Sequence, residues 1–131
     1  MPVLQWDDGL NVGVGFMDAD HVVAAEQING LADAADAAQR ASLLAAFIDH
    51  CRHHFAREEG LMEKTGFFAL GCHRGEHQRV LSELADVQAK LAAGESLDSY
   101  FRDDLPNWLM IHRNTMDAIT AEFARSAGYT E

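Results

Sequence analysis

The chain is short of basic residues, holds only two cysteines and has no long apolar run, and each shortage removes a class of function. Ten Lys and Arg stand against 21 Asp and Glu, a formal net charge of −11 at pH 7. The average surface field therefore repels phosphate backbones and anionic headgroups, so neither nucleic acid nor a membrane is an expected partner. No apolar stretch approaches the roughly 20 residues that span a bilayer. The opening Met1-Pro2-Val3-Leu4-Gln5-Trp6 lacks the basic-then-apolar layout of a secretory signal, and a cytoplasmic location is expected. In that compartment Cys51 and Cys72 read as free thiols. The metalloprotease signature His-Glu-x-x-His is missing, as is any Glu-x-x-His pair of the kind ferritin-like oxidases carry on two helices.

What remains is an ordinary globular composition, 48% hydrophobic over 131 residues, enough for one core and one domain spanning 1–131. Residues 1–17 read as an extended arm, because Gly9, Gly13 and Gly15 interrupt any helix and Val12, Val14 and Phe16 alternate; Trp6 is its expected anchor. Asp18 or Asp20 is placed to cap a first helix running to about Asp36, with His21, Ala24, Ala25, Ile28 and Leu31 on one face. A second helix is predicted from about Ser42 to Lys64, stopped by Thr65-Gly66. A third runs from about Leu70 to Ala93, with Gly94 after it. The fourth begins near Leu97, where Ser96 is a candidate cap, and ends near Ser126. Pro106 predicts a kink there or a short lead-in helix. These elements make an all-α fold, an antiparallel up-down-up-down four-helix bundle over 18–126, with an extended N-terminal arm and a tail at 127–131.

Along these helices lie five imidazoles and two carboxylates: His21, His54, Glu58, His73, His77, His112 and Asp117. Residues four apart differ by about 40° around a helix, so His54 with Glu58, and His73 with His77, can each reach one cluster. His112 and Asp117, five apart, differ by about 140° on an ideal helix and touch different parts of the cluster unless a π-bulge brings them together. Seven ligands are too many for one zinc, and imidazoles exclude the all-oxygen shells of calcium and magnesium. Two six-coordinate irons offer twelve positions. Five nitrogens, two bridging carboxylates and one shared oxygen fill all but one of them, leaving a vacancy of the kind that catalytic metal sites keep. Five histidines on inward faces make a purely structural explanation of the set improbable, since an unpaired buried carboxylate costs several kcal/mol. His50 and His53 read as surface or supporting residues.

His54-Phe55 followed by Glu58-Glu59 and Met62, His73 with Glu76-His77, and Trp108-Leu109 before His112 and Asp117 together resemble the hemerythrin family, specifically its single-domain bacterial members. The arm with Trp6, Val12-Gly13 and Asp18 leading into His21 is similar to the family's start, so the resemblance covers nearly the whole chain. It implies a left-handed bundle around two iron ions with a bridging oxo or hydroxo group. His73, His77 and His112 would bind one iron, His21 and His54 the other, and Glu58 and Asp117 would bridge. Dioxygen or a small anion would enter at the second iron, beneath Phe55, Trp108 and Leu109. Where the family usually has isoleucine after the fourth-helix histidine, this chain has Arg113, whose guanidinium is placed to pair with a carboxylate near the site, to stabilise a bound anion, or to reach solvent while its stem fills the oxygen pocket, which it is expected to make wetter. Reversible oxygen binding for carriage, storage or delivery is the implied function, rather than an enzyme. The alternatives are an oxygen, redox or nitric oxide sensor acting through a protein partner, and a diiron peroxidase or iron-oxidising enzyme.

Overall fold

Asp36 opens the longest helix of the computed structural model, which describes residues 2–130. Its side chain accepts the Gln39 N–H at 2.8 Å, and the Gln39 side-chain oxygen accepts the Ala35 N–H at 2.6 Å. This reciprocal cap satisfies two otherwise orphaned amides. It starts α2, Ala37–Thr65, five residues earlier than its apolar periodicity suggests. The preceding α1 spans Gly15–Ala32 and so stops short of Asp36. Arg40, buried on α2, donates to the terminal carbonyls of Leu31 and Ala32, and also to Ser96 and Asp98. One guanidinium thus closes α1 and ties it to the start of the fourth rod.

Helices α2 and α3 (Leu70–Ala92) end in the same way: Phe67 N–H reaches back to Met62 C=O across Gly66, and Glu95 N–H to Lys90 C=O across Gly94. Both glycines sit at positive φ, +70° and +93°, a conformation that costs glycine nothing. Ser96 stands one residue too early to cap the fourth rod. Helical backbone resumes only after Leu97, itself at φ +56°. From there a π turn at Tyr100–Asp104, α4 (Leu105–His112), a second π turn at Arg113–Asp117 and α5 (Ala118–Ser126) form one continuous rod. Pro106 neither breaks nor restarts it. A proline ring clashes with the carbonyl four residues back, and the wide turn just before it, closed by Leu105 N–H to Tyr100 C=O, accommodates that ring.

The arm is less extended than its alternation suggests. It carries a short 3-10 turn at Asp8–Leu10 and enters α1 at Gly15. Neither aspartate caps that helix. Asp18, one turn inside, accepts the N–H groups of Val12 and Gly13 and so holds the arm, while Asp20 points at His54. Trp6 does anchor the arm, packing on the main core and tilted against His21 at 5.5 Å.

Two apolar clusters lie along the bundle. The larger holds Ala24, Ile28, Leu44, Phe55, Val80, Leu84 and Leu109, and the smaller holds Val12, Met17, Leu61, Ala121 and Ala124. Fully buried aliphatic side chains such as Ile28, Leu44 and Leu84 contribute about 1.5–3 kcal/mol each. Going along α1 the chain passes from the small cluster through His21 to the large one. Along α2 it returns through Glu58, along α3 it leaves His73 and His77 for the large cluster, and along the fourth rod it comes back through His112 and Asp117. The alternation is the up-down-up-down bundle, with a polar layer between two apolar ones; no strand occurs among the described residues.

Asp36→Ala should lower the stability of the fold by about 1 kcal/mol in urea titration, with an unchanged denaturant slope. Burial, reinforced by Glu58, pushes the Cys51 thiol up to about 12, so its thiolate is scarce at neutral pH, whereas Cys72 is exposed. An aromatic disulfide reagent at pH 8 should titrate one thiol in the native protein and the second only after unfolding.

Candidate metal centre

The polar layer gathers all seven predicted ligands, each of them buried. His54 Nε2 lies 2.8 Å from Glu58 Oε2, and His77 Nε2 lies 3.1 Å from Glu58 Oε1. Around Asp117, His21 Nε2 is 2.8 Å from Oδ2, while His73 Nε2 and His112 Nε2 are each 3.1 Å from Oδ1. The second π turn, Arg113–Asp117, is what brings His112 and Asp117 together: its i→i+5 bonding stacks residues five apart that an α-helix would splay. The donor atoms form two groups, within each of which all lie within 4.8 Å of one another. One comprises Glu58, His73, His77, His112 and Asp117, the other His21, His54, Glu58 and Asp117, so both carboxylates are shared.

Three imidazoles are held from behind. His54 Nδ1 meets Asp20 Oδ2 at 2.7 Å, His77 Nδ1 meets Glu59 Oε2 at 3.0 Å, and His73 Nδ1 meets the Thr120 hydroxyl at 2.8 Å. Ionised carboxylates only accept, and the Thr120 hydroxyl donates to Met62 Sδ, so each Nδ1–H points outward and leaves an Nε2 lone pair facing the layer. His21 and His112 have no hydrogen-bond partner at Nδ1; Trp6 leans on the first ring, and Trp108 stacks on the second at 4.8 Å. Helical periodicity does not mark Asp20, Glu59 and Thr120 as anchors, and sequence reasoning misses them. Adjacency to a ligand is the only signal for two of them, Asp20 before His21 and Glu59 after Glu58, and Thr120 has none.

The electrostatics fit a cation. Burial pushes the Glu58 and Asp117 carboxyls up, as does Asp117 on Glu58, yet the surrounding histidines outweigh this and hold both on the ionised side, at 0% and 1% exposure. Burial disfavours charge on His54, but Glu58 and Asp20 raise it to about 10. With each Nδ1–H turned outward and the rings neutral, both Glu58 oxygens, Asp117 Oδ1 and His77 Nε2 face one another as lone pairs with no donor between them. Leaving that many buried acceptors unpaired costs several kcal/mol. Metal ions among these lone pairs would satisfy them together, in place of the protons that the histidines can otherwise take up.

A small cavity of about 20 Å³ lies against the layer, walled by His21, His54, His112 and Asp117 on the polar side and by Ala24, Phe47, Cys51, Phe55, Trp108 and Leu109 on the other; His50 completes the wall. Phe55 lies flat on His77 at 3.9 Å. Arg113 is not in this wall. Its guanidinium donates to the carbonyls of Leu10 at 2.8 Å and Asn11 at 3.1 Å, so it grips the arm, and the expected wetting of the pocket has no basis. The arm offers two carbonyls within reach, partners that helical position alone does not reveal. His50 stacks on His54 at 6.2 Å with Nε2 near the Asp20 carbonyl, and His53 is exposed.

A sequence model of the Hemerythrin HHE cation binding domain matches residues 12–124. The bacteriohemerythrin of Ralstonia nicotianae is 36% identical over 129 residues, covering 98% of this chain and 93% of that one. The bacteriohemerythrin of Methylococcus capsulatus is 30% identical, covering 91% and 95%. A crystal structure of wild-type hemerythrin superposes with a TM-score of 0.85 at 26% identity, covering 92% of this chain and 97% of its own. With fold and sequence agreeing over nearly its whole length, the chain belongs to the hemerythrin family.

Proposed function

We propose that the protein binds dioxygen reversibly at a nonheme diiron centre, as a carrier, store or delivery protein of the cytoplasm, where its unpaired cysteines would be at home. His73, His77 and His112 would hold one ion, His21 and His54 the other, and Glu58 and Asp117 both. Two iron ions with a bridging oxo or hydroxo group, held by these residues, would supply the electrons that reversible dioxygen binding draws on.

The observation that carries this reading is the placement of the small cavity. Its wall includes both imidazoles of the smaller ligand group, His21 and His54, but only His112 of the three in the larger one. Space for one ligand therefore adjoins the ion with fewer histidines. At about 20 Å³ it exceeds the roughly 10–15 Å³ that one water needs, and so admits a diatomic molecule or a small anion and little more. Phe55, Leu109 and Trp108 keep the remaining wall apolar, which slows the entry of water and the loss of a charged product. Trp108 is held in that wall by its indole N–H, which donates to Glu76 at 2.9 Å, and Glu76 is itself gripped by Arg79.

An optical spectrum of the iron-loaded, reduced protein taken before and after exposure to air tests the reading. Charge-transfer bands that appear with air and vanish under vacuum are expected. Irreversible conversion on first exposure would favour an enzyme or a redox sensor instead. Separately, Thr120→Val removes the oxygen behind His73 at constant shape and should weaken metal retention by about 10–100-fold in chelator competition, with helical circular dichroism unchanged.

A further inference from the structure

A second, larger cavity of about 230 Å³ lies on another side of the layer, between the start of α3 and the fourth rod. Phe67, Phe68, Cys72, Met116 and Ile119 line it, and its floor is the hydrogen-bonded pair His73–Thr120. Its polar groups are committed elsewhere. His73 uses Nδ1 on Thr120 and turns Nε2 to Asp117, Thr120 donates to Met62, and the Thr115 hydroxyl bonds its own helix at Ile111. No charged residue lines it. An ion or a strongly polar ligand would lose its hydration there and gain no partner.

The geometry points to a binding site for a small neutral apolar molecule, one aromatic ring or a short aliphatic chain in size, seated against the back of His73. An apolar cavity of about 150 Å³ takes up benzene, and this one is larger. Apolar side chains continue to the protein surface at this cavity, where Phe68 is 80% and Ile119 49% exposed beside a cluster of three phenylalanines, Phe67, Phe68 and Phe123. Exposed rings of this size are unfavourable in water and gain by covering a ligand. The occupant touches the Thr120–His73 pair, so occupancy bears on the position of one metal ligand without approaching the smaller cavity beneath Trp108. The site goes beyond the oxygen-binding reading and needs no bound oxygen to be observed.

Fluorobenzene, followed by fluorine NMR on the purified full-length protein, tests it. The expected result is saturable broadening and shift of the fluorobenzene line, lost in Cys72→Trp and in Ile119→Trp, which fill the cavity from opposite walls and replace exposed residues. A line that never saturates, or binding undiminished in both variants, overturns the proposal. It is also overturned if sedimentation shows a dimer that Phe68→Ala dissociates while fluorobenzene binds neither form, since the occupant is then a second copy of the chain.

Discussion

Two ionised carboxylates sealed in the middle of a helical bundle set the terms for everything around them. Glu58 and Asp117 are almost wholly removed from solvent, and the chain surrounds them with imidazoles rather than with lysine or arginine. An arginine would have neutralised a carboxylate permanently. Histidine can surrender its proton and its charge when a cation takes its place, so the layer is balanced with metal and costly without it. The flanking apolar clusters keep water from solving the problem in any other way.

Satisfying this layer from four helices demands a backbone irregularity. An α-helix cannot put His112 and Asp117, five positions apart, on one spot, whereas the four-residue spacing of His54 with Glu58 and of His73 with His77 needs no distortion. The extra residue of the Arg113–Asp117 π turn resolves the register locally. Such bulges forfeit regular hydrogen bonds and gather at functional sites for that reason. The rod contains a second one, where it serves only to pass Pro106, so the same distortion answers a covalent constraint in one place and a chemical one in the other.

How much of this is legible in the sequence follows from the range of each interaction. His54 with Glu58 and His73 with His77 are one turn apart on single helices, so spacing alone marks them, while the five-residue step from His112 to Asp117 leaves open either a π turn or contact with different parts of the cluster. Apolar periodicity misplaces the start of α2 because it begins at Leu44, while the cap, Asp36 with Gln39, lies in a polar stretch that periodicity does not sense. Arg113 is misplaced for the opposite reason. Its helical position is right, but the side chain is long and its partners, Leu10 and Asn11, are about a hundred residues away in sequence. Asp20, Glu59 and Thr120 escape notice because an anchor is defined by the atom it faces, which only the packed helices decide.

Those anchors reveal an order within the centre. Each ligand group contains one imidazole backed by a carboxylate, His54 by Asp20 and His77 by Glu59, and each of these carboxylates also meets an arginine, Arg57 and Arg74 respectively. A carboxylate behind a histidine strengthens it as a donor to metal, and an arginine behind the carboxylate moderates that push. Each group also contains one imidazole, His21 or His112, with no hydrogen-bond partner at Nδ1 and an indole against its ring instead. The two sites are therefore matched in how they are tuned and differ in what remains, since the third histidine, His73, belongs to one group alone. The small cavity touches both histidines of the group without it and one, His112, of the other, so it lies toward the group with fewer imidazoles, a bias set by the number of histidines and not by how they are held.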